Sequence, residues 1–279
     1  MTRTTDGSAG DADYARIGDG YRQYRRPEPT FARAIVAALG DARTVLNVGA
    51  GAGSYEPTDR EVTAVEPSAT MRAQRPDTLP TAIDATAEHL PFADDTFDAA
   101  MTTFSVHQWS DLEAGLAEMR RVTRGPIVIL TCDPSRVEDY WLAEYAPEVM
   151  ATEARRYPAL GRIADALPTD TVTSTPLPIP FTCVDGFSEA YYARPERLLN
   201  PGARAANSAW SFVDELTARR SVAALRTALE SGEWDRRHGA LRIRPSYDGA
   251  LVLVTAEPTR APTAGTSTAG TSTAGTSTA

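Results

Sequence analysis

Three alternating glycines follow a short apolar run and form the part of the sequence best suited to holding a ligand. The run Thr44–Val48 has the composition of a buried strand, and Gly49, Gly51 and Gly53 come directly after it. Glycine admits positive φ and lets the backbone approach a ligand without a Cβ in the way. Only eight residues then precede the next predicted strand, Val62–Val65, so a full crossover helix does not fit. Because the N-terminus of such a helix is what binds a pyrophosphate, this loop is better suited to a nucleoside without phosphates.

A carboxylate lies at the end of the second predicted strand, at the spacing from the glycine loop that a ribose-binding acid has. Glu66 follows Gly49 by 17 residues. A carboxylate at this position can accept hydrogen bonds from both hydroxyls of a ribose. The alternative is that Glu66 is a surface or helix-capping acid ahead of Pro67. The position of Glu66 relative to the glycine loop favours the ribose contact.

One histidine is placed to accept a proton. His107 comes just after the predicted strand Phe97–Thr103, at the edge of the sheet that bears the glycine loop. Imidazole titrates near neutral pH and can take a proton from a hydroxyl, phenol or ammonium group. The alternative is that His107 and Trp109 only form the wall of a pocket. The two cysteines and three histidines lack the spacing of metal ligands, so no metal site is predicted.

The segment that positions these residues alternates short apolar runs with helical patterns, which is typical of a parallel sheet wrapped by helices. We therefore predict an α/β fold. The predicted strands are Thr44–Val48, Val62–Val65, Thr81–Ile83, Phe97–Thr103 and Pro126–Cys132, and the predicted helices are Phe31–Leu39, a short one capped by Ser68, and Asp111–Val122.

The second half of the chain differs from the first because its pattern is mostly helical. It contains a Pro-rich strand candidate (Val172–Phe181), a clear helix (Val213–Leu229) and a last strand (Tyr247–Ala256). The tail has a repeated T-A-G-T-S unit without charge or large apolar side chains, which cannot offset the entropy of ordering. We divide the chain into a flexible N-terminus (1–12), a cofactor-binding core (13–133), a mainly helical cap or acceptor region (134–240), a final strand of the core sheet (241–261) and a disordered tail (262–279).

The amino-acid composition narrows the classes of molecule that this protein can bind. All 28 basic residues are Arg, against 37 acidic residues, for a net charge of −9. The absence of Lys excludes Schiff-base chemistry and the lysine-containing phosphate loop. An acidic chain is a poor partner for nucleic acid or anionic lipid, and no apolar run is long enough to predict a membrane span. We therefore expect a cytoplasmic protein whose partner is a small molecule.

Four motifs in the first half occur in the order known from one enzyme family. They are V-L-N-V-G-A-G-A-G (Val45–Gly53), V-T-A-V-E-P-S (Val62–Ser68), A-E-H-L-P-F-A-D-D-T-F-D (Ala87–Asp98) and V-H-Q-W (Val106–Trp109), and a helix ending E-M-R-R-V (Glu118–Val122) follows. In these motifs the chain resembles the class I S-adenosylmethionine-dependent methyltransferases of the UbiE-like, small-molecule branch. The resemblance implies a Rossmann-like, doubly wound, mostly parallel sheet of seven strands. It also implies in-line transfer of a methyl group from S-adenosylmethionine to a small molecule such as a specialised metabolite.

The resemblance further implies roles for single residues. Glu66 is expected to hold the ribose hydroxyls and Met71 to pack against adenine. The other expected cofactor contacts are Tyr24, Arg26, Asn47, Gly49, Ala50, Gly51, Pro67, Thr86, Ala87 and Thr103. His107 is the candidate base. The candidate acceptor-binding residues are Trp109, Trp141, Tyr145 and Tyr191, for which core packing is the alternative, and Glu144 and Asp185, for which a surface position is the alternative.

Two residues depart from the family's pattern. Asn47 stands where these enzymes usually carry an acid, which keeps a hydrogen bond but removes a negative charge near a cationic cofactor. Thr86 replaces an acid that often binds adenine. Two alternative functions therefore stay open: an NAD(P)-dependent oxidoreductase on a similar sheet, and a catalytically silent binding protein with the methyltransferase fold.

Overall fold

A six-stranded mixed sheet forms the centre of the computed structural model, which describes residues 21–259. Its strands are β1 (Thr44–Val48), β2 (Glu61–Val65), β3 (Ala99–Thr103), β4 (Ile127–Cys132), β5 (Asp170–Pro176) and β8 (Leu251–Pro258), and β6 (Ile179–Pro180) and β7 (Ser246–Tyr247) form a separate two-stranded sheet. The spatial order is β2-β1-β3-β4-β8-β5. The first four strands are parallel, whereas β8 runs antiparallel between β4 and β5.

Helices cover both faces of this sheet. In chain order they are α1 (Tyr21–Tyr24), α2 (Pro29–Ala38), α3 (Ala69–Ala73), α4 (Leu112–Val122), α5 (Pro134–Val137), α6 (Pro147–Arg156), α7 (Leu160–Asp165), α8 (Pro201–Ala205), α9 (Glu215–Glu230) and α10 (Glu233–His238). Single turns of 3₁₀-helix lie at Val106–Gln108, Trp141–Glu144, Ser188–Tyr191, Pro195–Leu199, Ser208–Phe212 and Gly239–Ile243. No helix within residues 21–259 has the length and apolar character that a membrane crossing requires.

The core has two layers because the strand side chains alternate between the faces of the sheet. On β4, Val128 and Leu130 pack in the cluster with α2 and the helical insertion after β4, whereas Ile127 and Ile129 pack in the cluster with α4 and α7. Every residue of β4 is buried. This central position explains the continuous apolar run in its sequence, which is typical of a parallel strand covered on both faces.

The α/β prediction is confirmed, with six strands instead of seven. Residues Thr81–Ile83 do not form a strand, because Ile83 alone joins the ladder through an isolated bridge to Val65. The Pro-rich candidate Val172–Phe181 is a strand that divides into β5 and β6. The division falls at Leu177 and Pro178, since Leu177 still donates to Leu251 whereas the nitrogen of Pro178 cannot donate. Likewise, Tyr247–Ala256 divides into β7 and β8.

The helical insertion between β4 and β8 has an aromatic core of its own. The indole of Trp141 lies edge-on to Trp234, with ring centroids 5.4 Å apart, and donates to the carbonyl of Tyr192 at 3.0 Å. Tyr140 packs on Trp141 and donates to the carbonyl of Ser188. The prediction of a cap over the core remains an interpretation of this segment. The flexible N-terminus (1–12) and the disordered tail (262–279) that we predicted lie outside the described residues.

A buried ion pair joins α4 to the edge of the sheet and provides a test of the fold. Arg120 Nε lies 3.0 Å from Asp170 Oδ2, and the Asp170 side chain has no exposed surface. Replacing Arg120 by Met leaves a buried carboxylate without its partner, so the free energy of unfolding should fall by about 3 kcal/mol. Urea denaturation followed by tryptophan fluorescence measures this change.

The control for this prediction is the exposed pair Arg219–Glu215, both of whose side chains are more than 70% accessible. Replacing Arg219 by Met should change the free energy of unfolding by less than about 1 kcal/mol. Equal effects of the two substitutions would show that the Arg120–Asp170 pair does not stabilise the sheet edge.

Candidate active site

A cavity of about 450 Å³ opens at the carboxyl ends of β1, β2 and β3. This is the edge at which open α/β sheets bind their ligands. Its wall is formed by the loop after β1, the end of β2, residues 86–88 and the loop after β3. The lining residues include Gly49, Ala50, Gly51, Glu66, Pro67, Met71, Thr86, Ala87, Glu88, Thr103, Phe104, Ser105 and Trp109, and on the opposite side Arg25, Tyr55 and Asp185.

The glycine loop adopts the conformation that its residues predict. Gly49, Gly51 and Gly53 have φ values of 66°, 53° and 91°, in the left-handed region that side chains disfavour. A Cβ on Gly49 would collide with the side chain of Ser105, so the loop lies close against the segment after β3. No helix separates β1 from β2, which confirms that the usual crossover helix is missing.

A buried ion pair supports the glycine loop from below. Arg75 donates to both oxygens of Glu56 at 2.9 Å, and both side chains are at least 96% buried. Asn47 donates from Nδ2 to Glu56 Oε1 at 3.0 Å. Asn47 is therefore bound to this pair and does not line the cavity. Its expected contact with the cofactor stays a prediction, and the hydrogen bond that the structure shows for it goes to Glu56.

Glu66 lies where the sequence places it, at the carboxyl end of β2 and in the cavity wall. Its Oε2 accepts the Gly51 N–H and its Oε1 accepts the Ser68 N–H, both at 2.8 Å. A carboxylate offers about four lone-pair positions, so two remain for a ligand. Burial raises the pKa of Glu66, and the two backbone N–H groups and Arg72 partly oppose this rise. The residue thus joins the loops after β1 and β2 and presents acceptor oxygens to the cavity.

The far end of the cavity has an apolar character suited to a flat ring. Met71 is buried, and its Cε comes within 3.3 Å of a Cβ built on Gly51. The Trp109 indole donates to Ser105 Oγ at 2.9 Å, and its six-membered ring occupies the space that a side chain on Gly115 would fill. Glu88 accepts the N–H groups of Ser110 and Asp111 at the same end. Trp109, which we predicted to contact the acceptor, is thus a cavity wall residue at the end nearest Met71, Thr86 and Ala87.

The opposite wall is a hydrogen-bonded group that joins three distant segments. Arg25 Nε lies 2.5 Å from Asp185 Oδ1, and Tyr55 donates to Asp185 Oδ2 at 2.7 Å. Arg25 also lies over the ring of Phe104, 4.9 Å from its centroid. Tyr55 and Phe104 have positive φ values of 66° and 49°, and non-glycine residues with such strained backbone cluster at functional sites.

Sequence reasoning found only part of this wall. Asp185 was a candidate acceptor-binding acid and does line the cavity, whereas Glu144 is bound to Arg237 and His238 elsewhere. Tyr55 and Phe104 were not singled out from the sequence. Arg25 stands between Tyr24 and Arg26, the two expected cofactor contacts, and of these three residues it is the one that lines the cavity.

Apart from Asp185 and Glu144, ten of the predicted site residues line the cavity and seven do not. Those in the wall are Gly49, Ala50, Gly51, Glu66, Pro67, Met71, Thr86, Ala87, Thr103 and Trp109. Those outside it are Tyr24, Arg26, Asn47, His107, Trp141, Tyr145 and Tyr191.

Packing explains why most of the second group lies elsewhere. Tyr24 donates to Asn200 and packs on Gly202, and Arg26 is exposed. Trp141 and Tyr145 belong to the aromatic core of the helical insertion, with their rings 6.1 Å apart. Tyr191 is buried beside Gly186. For these aromatic residues, the core alternative is the one that the structure supports.

His107 is buried next to the cavity without entering its wall. Its ring packs against Tyr157 with centroids 4.5 Å apart, and within residues 21–259 its Nδ1 has no hydrogen-bond partner. Burial lowers the pKa of His107 well below its ordinary value, and the charges of Arg156 and Arg25 lower it further. The imidazole is therefore neutral at pH 7, and its role as a base remains a prediction without a cavity contact.

The described part of the chain contains no group of three His, Cys, Asp or Glu residues that could hold a metal ion. The chemistry of the cavity wall therefore comes from one carboxylate, backbone groups, an arginine–aspartate pair and aromatic rings.

Comparison with known proteins shows that the segment forming most of this cavity is similar to methyltransferases. Residues 46–126 match a family model described as a methyltransferase domain. A demethylmenaquinone methyltransferase of Renibacterium salmoninarum is 38% identical over 109 residues, which are 35% of this chain and 45% of that protein. A malonyl-[acyl-carrier protein] O-methyltransferase of Pseudescherichia vulneris is 31% identical over 121 residues, 40% of this chain and 48% of that protein. The chain thus spans about half the length of the curated relatives it matches.

One solved structure is similar over nearly its whole length. It is a putative methyltransferase from an antibiotic biosynthesis pathway of Anabaena variabilis, 28% identical, with a TM-score of 0.77 over 84% of this chain and 98% of that one. The matched segment 46–126 contains the glycine loop, Glu66 and the segment after β3, which are the parts that build the cavity. Residues 46–126 are therefore similar in sequence to methyltransferase domains, and the fold over 84% of the chain is similar to that of a putative methyltransferase.

Proposed function

We propose that this protein transfers a methyl group from S-adenosylmethionine to a small-molecule acceptor. The observation that carries the proposal is the joint position of the glycine loop and the Glu66 carboxylate in one wall of the cavity. A loop whose glycines have left-handed φ values lets a ligand lie close to the protein backbone. A carboxylate beside this loop can accept hydrogen bonds from the hydroxyls of a ribose.

The residues present fit S-adenosylmethionine along the whole cavity. Glu66 would hold the ribose, Met71, Thr86 and Ala87 would surround the adenine, and the glycine loop with Thr103 would hold the methionine part. When bound, this cofactor supplies an electrophilic methyl group on a sulfonium. Holding the acceptor in line with that methyl group is the main task of the protein, because positioning alone can contribute about 7–11 kcal/mol.

The acceptor end is the side of the cavity bounded by Phe104, Arg25 and Asp185. One relative is named as a demethylmenaquinone methyltransferase and another as a malonyl-[acyl-carrier protein] O-methyltransferase. The similar solved structure is named as a putative methyltransferase from an antibiotic biosynthesis pathway. These names support a small organic acceptor, and we include specialised metabolites among the candidates. The net charge of −9 supports function in the cytoplasm without nucleic acid.

The two alternative functions lack such support. An NAD(P)-dependent oxidoreductase needs a helix N-terminus for its pyrophosphate, and no helix lies between β1 and β2. The argument for a silent binding protein was the missing acid at Asn47. That residue contacts the Glu56–Arg75 pair and not the cavity, so its identity does not bear on the charge around a bound cofactor.

Calorimetric titration with S-adenosylhomocysteine tests the proposal. We expect saturable binding of one ligand per chain, since the cavity already contains oxygen atoms that can accept hydrogen bonds from the ribose. NADH serves as the comparison ligand. Absence of S-adenosylhomocysteine binding at millimolar concentration, or preference for NADH, would contradict the proposal.

A substitution at Glu66 tests the ribose contact. Glu66→Gln exchanges an acceptor oxygen for a donor amide, so affinity for S-adenosylhomocysteine should fall by about 1.5–3 kcal/mol, about 10- to 100-fold. Glu61→Gln is the matched control, because Glu61 lies exposed at the other end of β2. Unchanged affinity in a folded Glu66→Gln variant would remove Glu66 from the ribose site.

A substitution at Gly49 tests the close approach of the loop. Gly49→Ala combines a left-handed φ with a collision at Ser105, so both the melting temperature and the affinity for S-adenosylhomocysteine should decrease. Gly40→Ala is the control, because Gly40 has a similar φ of 56° but open space around its Cβ position. Thermal denaturation and calorimetry separate the two effects. If Gly49→Ala binds the ligand as Gly40→Ala does, the loop does not form the binding surface.

A further inference from the structure

A third carboxylate lies in the cavity wall, beyond the position proposed for the ribose. Among the described residues, four charged side chains line the cavity, and they are Arg25, Glu66, Glu88 and Asp185. Arg25 and Asp185 belong to the hydrogen-bonded opposite wall, and Glu66 is the candidate ribose ligand. Glu88 therefore remains as a charged group of the wall without a role in the proposed function.

The backbone places Glu88 at the end of the cavity that the base of a nucleoside would reach. Ile83 pairs with Val65 on the side of β2 that faces away from β1 and the glycine loop. The Glu66 N–H donates to the Ile83 carbonyl at 2.9 Å, so the segment after Ile83 leaves the sheet beside the ribose position. A ligand with its ribose at Glu66 and its other end along the glycine loop therefore extends its base toward residues 86–88.

Hydrogen bonds fix the Glu88 carboxylate at the start of α4. Its Oε1 accepts the Ser110 N–H at 2.9 Å, the Ser110 hydroxyl at 3.0 Å and the Asp111 N–H at 3.1 Å. The Thr86 hydroxyl donates to the same carboxylate. Because all three bonds from the start of α4 go to Oε1, Oε2 is the oxygen that can accept a hydrogen bond from a ligand.

The Glu88 carboxylate is ionised at neutral pH. Burial alone would raise its pKa, but its own N–H, the Asp111 N–H and the hydroxyls of Thr86 and Ser110 lower the pKa below its ordinary value. An ionised carboxylate accepts hydrogen bonds and cannot donate them. It therefore favours an amino group at this end of the cavity over a carbonyl oxygen, which also only accepts.

We propose that Glu88 recognises the nucleobase of the cofactor by accepting a hydrogen bond from its exocyclic amino group. This proposal rests on the function proposed above. It assigns the ligand class as a 6-aminopurine nucleoside. A 6-oxopurine nucleoside is then a poor ligand, because its carbonyl oxygen would face an ionised carboxylate without a proton between them. In this assignment Glu88 is a specificity-determining residue that contacts neither the ribose nor the methyl group.

The alternative role of Glu88 is purely structural, as an acceptor for the first N–H groups of α4. Asp111 also caps this helix, since its side chain accepts the Ala114 N–H at 2.9 Å. The start of α4 thus has a cap that does not depend on Glu88. A purely structural carboxylate would affect the binding of all nucleosides alike, whereas a carboxylate that contacts the base would affect the choice between bases.

The experiment compares two ligands that differ at the 6 position of the purine. S-adenosylhomocysteine carries an amino group there, and S-inosylhomocysteine carries a carbonyl oxygen. Calorimetric titration of the wild-type protein should show binding of S-adenosylhomocysteine that is tighter by about 10-fold or more, the effect of one hydrogen bond to a charged group. Equal affinity for the two ligands, or tighter binding of S-inosylhomocysteine, would overturn the proposal.

The substitution Glu88→Gln tests whether this preference comes from one side chain. The amide oxygen is expected to keep the bonds from Ser110 and Asp111, so the amide N–H₂ group takes the place of Oε2 and can donate to a carbonyl oxygen. The preference for S-adenosylhomocysteine should therefore fall to about threefold or less, or reverse. A folded Glu88→Gln protein that keeps the wild-type preference would overturn the proposal.

Two control variants separate recognition of the base from a general loss of binding. Glu118 accepts the Leu90 N–H at 3.1 Å but does not line the cavity, so Glu118→Gln should keep the wild-type preference. Glu66→Gln removes an acceptor for the ribose, which both ligands share, so it should weaken the binding of both by a similar factor. If Glu66→Gln changes the preference as much as Glu88→Gln does, the assignment to Glu88 is wrong.

A second variant at the same position keeps the test decisive if Glu88→Gln does not fold. Glu88→Asp retains the negative charge and should still prefer S-adenosylhomocysteine, and the opposite preference would overturn the proposal. Thermal denaturation shows which variants are folded. Wild-type protein that binds neither ligand contradicts the proposed function, whereas wild-type protein that binds both ligands equally contradicts only the role of Glu88.

Discussion

The buried ion pair between Glu56 and Arg75 is the constraint on which the candidate site depends. The chain has no helix between β1 and β2, so the glycine loop is held by side chains and by the bond from the Ala50 N–H to the Val65 carbonyl of β2. Arg75 reaches Glu56 from the segment after α3, and Glu56 accepts from Asn47 on β1. A buried pair of this kind is costly to break, because either charge alone would be left without water or partner. It therefore fixes a loop that its glycines would otherwise leave free.

A second carboxylate completes the geometry that the ion pair begins. Glu66 accepts backbone N–H groups from the loops after β1 and β2, and it still presents oxygen atoms to the cavity. Arg25, Asp185 and Tyr55 close the opposite side with their own hydrogen bonds. The cavity is therefore bounded by groups whose hydrogen bonds are largely satisfied before a ligand enters. Such preorganisation lowers the entropic cost of binding.

The sequence predicts those features that depend on neighbouring residues and misses those that depend on distant ones. β1 was predicted to the residue, and the Ser68 cap of α3 was recognised, because strand runs and helix caps are local signals. Glu66 follows from its position after a strand. Asn47 was assigned to the cofactor by its place in a motif, whereas its partner is Glu56. Arg25, Tyr55 and Asp185 come together only in the folded chain, and the aromatic residues Trp141 and Tyr145 could not be divided between core and pocket by their types.

The antiparallel strand β8 has a consequence for how the molecule folds. It pairs with β4, from Ile127 opposite Ala256 to Cys132 opposite Leu251, although the entire helical insertion separates the two strands in the chain. Contacts of such high sequence separation form late, since the loop between them must be closed first. Until β8 pairs with it, the mostly apolar strand β4 has an unpaired edge, and unpaired edges are prone to aggregation. The insertion that contributes Asp185 to the cavity wall thus also separates β4 in the chain from the strand that covers its edge.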